Sequence, residues 1–160
     1  MSSNDDVWSE WINRDLHGCW SSSPDSQDFS GTLQDPSRAR QFVRDRVCQK
    51  HGVLARGALA LVTSELVTNA VLHGTPPITV DIGCHVSKIW LAVRDLGEGL
   101  SSLAPRPPSP GLGLGLKIVD QVSDEWGSRT LEHGSVVWCL IGTGVMPVIA
   151  RRVDPVPPGP

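Results

Sequence analysis

The chain has 160 residues and a formal net charge of -3, with 14 Lys and Arg against 17 Asp and Glu. That length can bury a core without a disulfide or a structural metal, and the lack of a basic excess excludes binding to nucleic acid or an anionic membrane by charge neutralisation. Cys19, Cys48, Cys84 and Cys139 form no Cys-x-x-Cys pair, which excludes a zinc ribbon and a redox dithiol and leaves buried thiols as the reading.

The opening Met1-Ser-Ser-Asn-Asp-Asp6 is acidic and no apolar h-region follows it. With no run of transmembrane length either, the expected location is the cytoplasm. Residues 1–28 are expected to form a flexible arm, mixing Ser and Asp with Trp8, Trp11 and Trp20 and lacking a sustained period. Most such arms are extensions without function. Three tryptophans are unusual in a disordered tail, however, and suit a segment that docks on the domain or on a partner.

The ordered domain is expected over residues 29–145, beginning with an edge strand at Phe29 to Leu33. Asp35-Pro36-Ser37 reads as a helix start, with Asp35 or Ser37 as cap and Pro36 where a missing N–H costs nothing. Ala39, Phe42, Val43, Val47 and Cys48 then recur at helical spacing up to Gly52. Arg38, Arg40, Arg44 and Arg46 lie between them, with Asp45, as a solvated face. A second helix is expected from Arg56 to about His73, turning Leu59, Val62, Leu66, Ala70 and Val71 toward a core and stopping at Gly74.

After Thr75-Pro76-Pro77, Ile78, Val80, Ile82 and Cys84 alternate with Thr79, Asp81 and Gly83 as a strand with one buried face. Ile89, Leu91 and Val93 form the next strand, and the short connection makes the two a hairpin that places Asp95 at its exit. Leu100 to Pro110 contains Pro105, Pro107, Pro108 and Pro110, so it is a loop or lid. Leu116, Ile118, Val119 and Val122 mark a third helix opening inside the glycine run. Two strands follow, near Glu125 to Leu131 and Ser135 to Ile141, and a Pro-rich tail occupies residues 146–160. This order lacks the alternation of a doubly wound parallel sheet. It predicts an α+β fold, a two-layer sandwich with helices on one face of a mixed, largely antiparallel sheet.

Three stretches carry chemistry. Glu65 and Asn69 are four apart on one helix and share a face. An amide oxygen suits Mg²⁺, and a carboxylate one turn earlier can take a proton or hold a metal-bound water; the alternative is an ordinary polar face. His73 reads as a helix-end histidine at the C-terminal dipole. Asp95-Leu-Gly97-Glu-Gly99 can accept a hydrogen bond from an adenine amine while its glycines admit the base; the alternative is a plain turn. Gly111-x-Gly113-x-Gly115 is neither a Rossmann nor a Walker loop, yet glycines opening a helix free backbone N–H groups for an anion, and Lys117 adds charge. The alternative is a hinge.

Leu61 to His73, Asp95-x-Gly-x-Gly99 and Gly113-Leu-Gly-Leu-x-Ile-Val119 resemble the N, G1 and G2 boxes of the GHKL ATPase superfamily, over about residues 30 to 142. With the Asp-Pro-Ser-x-x-Arg helix in front, the chain is similar to the anti-sigma factor serine/threonine kinases and their small ATP-binding relatives in actinomycetes. The glycine run resembles the G2 box of sensor histidine kinases equally well. The resemblance implies a Bergerat-type ATP-binding fold in which Asn69 ligates Mg²⁺, Glu65 is the catalytic base and Asp95 reads adenine. Gly97, Gly99, Gly113 and Gly115 would shape the pocket, Leu114 and Lys117 would belong to it, and Leu100 to Pro110 would be the ATP lid. The implied partners are a sigma factor and an anti-sigma factor antagonist, with a homodimer compatible and no direct contact with nucleic acid or membrane. The alternatives are a nucleotide-dependent binding module without phosphoryl transfer and a sensor histidine kinase fragment, whose phosphoacceptor surroundings are missing around His51.

Overall fold

Residues 25–47, 53–84, 88–97 and 113–143 are described by the computed structural model of the chain. The readings of the arm through residue 24, of Cys48, His51 and Gly52, of Gly99 and the proline loop, and of the tail from residue 144 lie outside the described residues. In chain order the elements are β1 (Asp25–Phe29), α1 (Asp35–Arg46), α2 (Val53–His73), β2 (Ile78–Cys84), β3 (Lys88–Asp95), α3 (Leu114–Val122), β4 (Glu125–Leu131) and β5 (Gly134–Gly142).

The strands form one sheet in the order β1-β2-β3-β5-β4, and every described pairing is antiparallel. Both expected hairpins are present. The edge strand, however, runs over Asp25–Phe29 and not over Phe29 to Leu33. Its first four residues, Asp-Ser-Gln-Asp, have no apolar alternation to reveal a strand. The ladder to β2 holds them instead, and Phe29 anchors the end, its ring 6.5 Å from that of Phe42 on α1 in a T-shaped contact.

The start of α1 also differs from the expected cap. Gln34 precedes the helix without a side-chain cap, and Asp35 is its first residue. The Asp35 carboxylate reaches backward and accepts the Thr32 N–H at 2.7 Å, while the Asp35 N–H donates to the Thr32 carbonyl at 3.0 Å. This reciprocal turn does the work of a capping box. Helix α2 begins three residues before the expected Arg56, and its buried Ala55, Leu59, Val62, Leu66, Val67 and Ala70 form the spine of the core.

All three helices share one core with Ile78, Val80 and Ile82 of β2, Ile89, Leu91 and Val93 of β3, and Cys139 and Ile141 of β5. Arg40 of α1 donates to the Ser64 hydroxyl of α2 at 2.9 Å, bridging the two helices. Burial pushes the Cys139 thiol up to about 12, which keeps it protonated and unreactive at neutral pH.

Asp81 departs from its expected exposed position. It lies on the sheet face away from the helices, yet it is only 2% exposed. Arg94 on β3 donates to both of its carboxylate oxygens, at 2.8 and 3.0 Å, so the charge is buried with its partner. Replacing Arg94 by Met leaves that carboxylate buried alone. After allowance for the partly exposed guanidinium, the expected loss is about 2 kcal/mol in urea unfolding, largely recovered by adding Asp81→Val. Wild-type stability in Arg94→Met would contradict this account.

Candidate functional site

The site forms where the C-terminus of α2, the C-terminus of β3, the N-terminus of α3 and the start of β5 meet. The last turn of α2 closes with the Gly74 N–H on the Ala70 carbonyl at 2.8 Å, and the chain beyond it is tied to the end of β3 by the Leu96 N–H on the Thr75 carbonyl at 2.8 Å. Asp95 occupies this junction. One of its oxygens accepts the Gly97 N–H at 2.7 Å and the Thr75 N–H at 3.4 Å; the other accepts the Ser135 hydroxyl at 2.9 Å. The carboxylate is thus held by donors from three separate segments.

Beside it lies an open cleft. Leu66, Val93, Leu116 and Val137 supply its apolar wall, and Asn69, His73, Asp95 and Ser135 its polar groups. An apolar slot with a few convergent polar groups suits a flat, partly polar ligand.

The other polar pole is on α2. Glu65 and Asn69, both half-buried, share the helix face on which α3 arrives. A methyl group placed on Gly115 would lie 2.6 Å from Glu65 Oε2 and 3.6 Å from Asn69 Nδ2, so the glycine is what lets the α3 backbone come this close. Gly113 precedes α3 and offers no side-chain cap. The N–H groups at the start of this helix have no partner within it, the usual origin of an anion-seeking helix end.

The structure sets Gly115 against Glu65 and Asn69 and Gly97 against Asp95, and Asn69 and Asp95 line one cleft, which Glu65, Gly97, Gly113 and Gly115 do not line. Lys117 and Leu114 are exposed, and neither lines the cleft. Gly99 lies outside the described residues. Ser135, Gly74 and Thr75 were not read from the sequence as site residues. Ser135 follows the His133-Gly134 turn, and only the pairing of β3 with β5 sets it opposite Asp95. Among the described residues no cluster of three or more His, Cys, Asp and Glu could hold a metal, and no helix is long and apolar enough to cross a membrane.

The sequence profile of one family, described as histidine kinase-, DNA gyrase B-, and HSP90-like ATPase, matches residues 55–144. The chain belongs to this ATPase family. Its matched region contains both poles of the cleft, and membership carries ATP binding with it. No curated protein matches the chain. Among solved structures, the RsbU and RsbW domains of Rv1364c from Mycobacterium tuberculosis are similar, with a TM-score of 0.57 at 16% identity over 75% of this chain and 32% of that one. The chain thus spans about a third of that structure's length. The histidine kinase domain of the Erythrobacter litoralis EL346 blue-light activated histidine kinase gives 0.44 at 22% identity, over 57% of this chain and 46% of that one. The catalytic domain of histidine kinase ThkA gives 0.45 at 17%, over 74% and 97%. At these identities the likeness to the first is one of fold.

The close contact at Gly134 gives the site a direct test. Its φ is +113°, and an added Cβ would lie 1.9 Å from the Asp95 carbonyl oxygen. Gly134→Ala is expected to lower unfolding free energy by about 2 kcal/mol or more and to weaken ATP binding with it. A variant with wild-type stability and affinity would show that Asp95 is not held through this turn.

Proposed function

We propose that this ATPase-family domain is an anti-sigma-factor-type regulatory protein. It transfers the γ-phosphoryl group of ATP to a serine or threonine of an antagonist protein and sequesters a sigma factor. The observation that carries the reading is the pair Glu65 and Asn69 under the Gly115 backbone, with Asn69 lining the same cleft as the fixed Asp95 carboxylate. The motif resemblance of the whole domain and the likeness in fold to the RsbU and RsbW domains of Rv1364c support it.

Asp95 is the base-reading residue. Its carboxylate has no donor of its own, so it accepts from the exocyclic amine of adenine, while Leu66, Val93, Leu116 and Val137 pack on the ring. Gly97 and Gly113 keep side chains away from the nucleotide, and the first N–H groups of α3 face its phosphates. Gly99, Leu114 and Lys117 join the pocket on the resemblance alone.

The donor set fits Mg²⁺. Asn69 offers a hard amide oxygen one helical turn from a carboxylate, and Mg²⁺ takes few protein ligands, drawing the others from water and phosphate. When bound, it neutralises charge on the phosphates during transfer. Glu65 takes the proton of the attacking hydroxyl. The hydroxyl oxygen forms its bond to the γ-phosphorus as the bond from that phosphorus to the β–γ bridging oxygen breaks, and ADP leaves with the electron pair. Positioning supplies most of the acceleration, so a half-buried base on a rigid helix is a suitable device.

Labelled phosphate from ATP, offered with a serine-bearing antagonist protein, distinguishes the roles. Glu65→Ala is expected to transfer about 10²-fold or more slower than wild type while its ATP affinity stays within a few-fold. Equal transfer by both would remove Glu65 from the chemistry. ATP binding by wild type with no transfer would instead favour a nucleotide-dependent binding module.

A further inference from the structure

The sheet ends in β1 on one side and β4 on the other, and the two edges are unlike. An edge strand presents a row of backbone N–H and C=O groups with which a further strand can pair, and proteins usually block it with a short strand, proline, a bulge or unmatched charge. β1 is blocked in this way. Its five residues carry Asp25 and Asp28, already engaged within the chain by Arg46 and by the Thr79 hydroxyl, and no cation to meet the acids of a second copy.

β4 has none of these defences. It is seven residues long, Glu-Trp-Gly-Ser-Arg-Thr-Leu, without proline, its register with β5 runs unbroken, and among the described strands it pairs with β5 alone. Glu125, Arg129 and Thr130 are exposed. Trp126 is turned back over the helix layer, where it packs against the core and its indole N–H donates to Asp120 of α3 at 2.8 Å. Alternation along the strand then puts Glu125 and Arg129 together on the opposite face, two residues either side of Gly127.

That spacing makes the edge complementary to itself. In an antiparallel pair of β4 strands centred on Gly127, Glu125 of each copy stands directly opposite Arg129 of the other on the same face, and the contact is made twice. Centring the pair on Glu125 or on Arg129 instead sets like charges opposite, and centring it on Trp126 or Ser128 leaves both charges without a match. One register is therefore favoured. Its two-fold axis passes between Gly127 and its copy, so the contact closes on itself as a dimer, whereas β1 against β4 would propagate as a filament.

We propose that the edge of β4 binds the same edge of a second copy of this chain, joining two five-stranded sheets into one continuous sheet. The cleft is lined from α2, β3, α3 and β5 and not from β4, so both nucleotide sites stay open. The axis stands perpendicular to the joined sheet and sets both helix layers, with their clefts, on one side. This contact does not depend on whether the domain transfers phosphate.

Sedimentation velocity of the full-length chain at several protein concentrations tests it. Wild type is expected to pass from monomer to dimer as the concentration rises. Glu125→Arg and Arg129→Glu each set like charges opposite one another twice at the seam, and each is expected to weaken the dimer about ten-fold or more, with ATP affinity unchanged. The chain carrying both substitutions regains opposite charges in the reverse sense and is expected to dimerise within a few-fold of wild type. A monomer at every concentration would overturn the proposal. So would a dimer indifferent to both single reversals, which would assign the contact to another surface, or a double variant that dimerises no better than the single ones.

Discussion

The hydrogen bonding of the Asp95 carboxylate is the constraint on which the site rests. A carboxylate with three protein donors is fixed in position and direction, and these donors come from the turn after α2, the turn after β3 and the first residues of β5. One side chain thereby joins the helix layer to two central strands. The approach of the surrounding chain depends on absent side chains, at Gly74 beside the carboxylate and at Gly134 beside the Asp95 carbonyl. The charge sits at the rim of the apolar core, where it can still accept one more hydrogen bond from a ligand in the cleft.

Helix α2 carries the geometry from this point to the other pole. From Glu65 to Gly74 it rises about 13 Å, so one rigid element sets the separation between the proposed base and the proposed adenine pocket. Its buried side is tied to the sheet through Leu59, Val62, Leu66 and Ala70, which leaves Glu65 and Asn69 on the flank that α3 meets. A change in the packing of α2 would shift both ends of the cleft together. That coupling suits a domain in which nucleotide and catalytic base must be aligned on a common frame.

Features encoded locally were legible in the sequence. The spacing of Ala39, Phe42 and Val43 and of Leu59, Val62, Leu66 and Ala70 marked two helices, and the alternation of β2 and β3 with a short connection marked their hairpin. Glu65 and Asn69 were legible for the same reason, since four residues on a helix is a local relation. What depends on distant pairing was not. Asp25 to Asp28 join the sheet through backbone ladders that no side-chain pattern announces. Asp81 is buried by an arginine on the neighbouring strand, and Ser135 reaches Asp95 across 40 positions. Lys117 was read as part of the anion site because charge near a glycine run suggests it; it is exposed on α3.

The central claim is that the Asp95 carboxylate accepts a hydrogen bond from the purine 6-amine. Calorimetric titration with ATP and with inosine triphosphate, which has an oxygen in place of that amine, addresses it most directly. The account predicts that inosine triphosphate binds at least about 10²-fold more weakly, because the carboxylate then faces an acceptor without a proton to share. Equal affinities for the two nucleotides would contradict it.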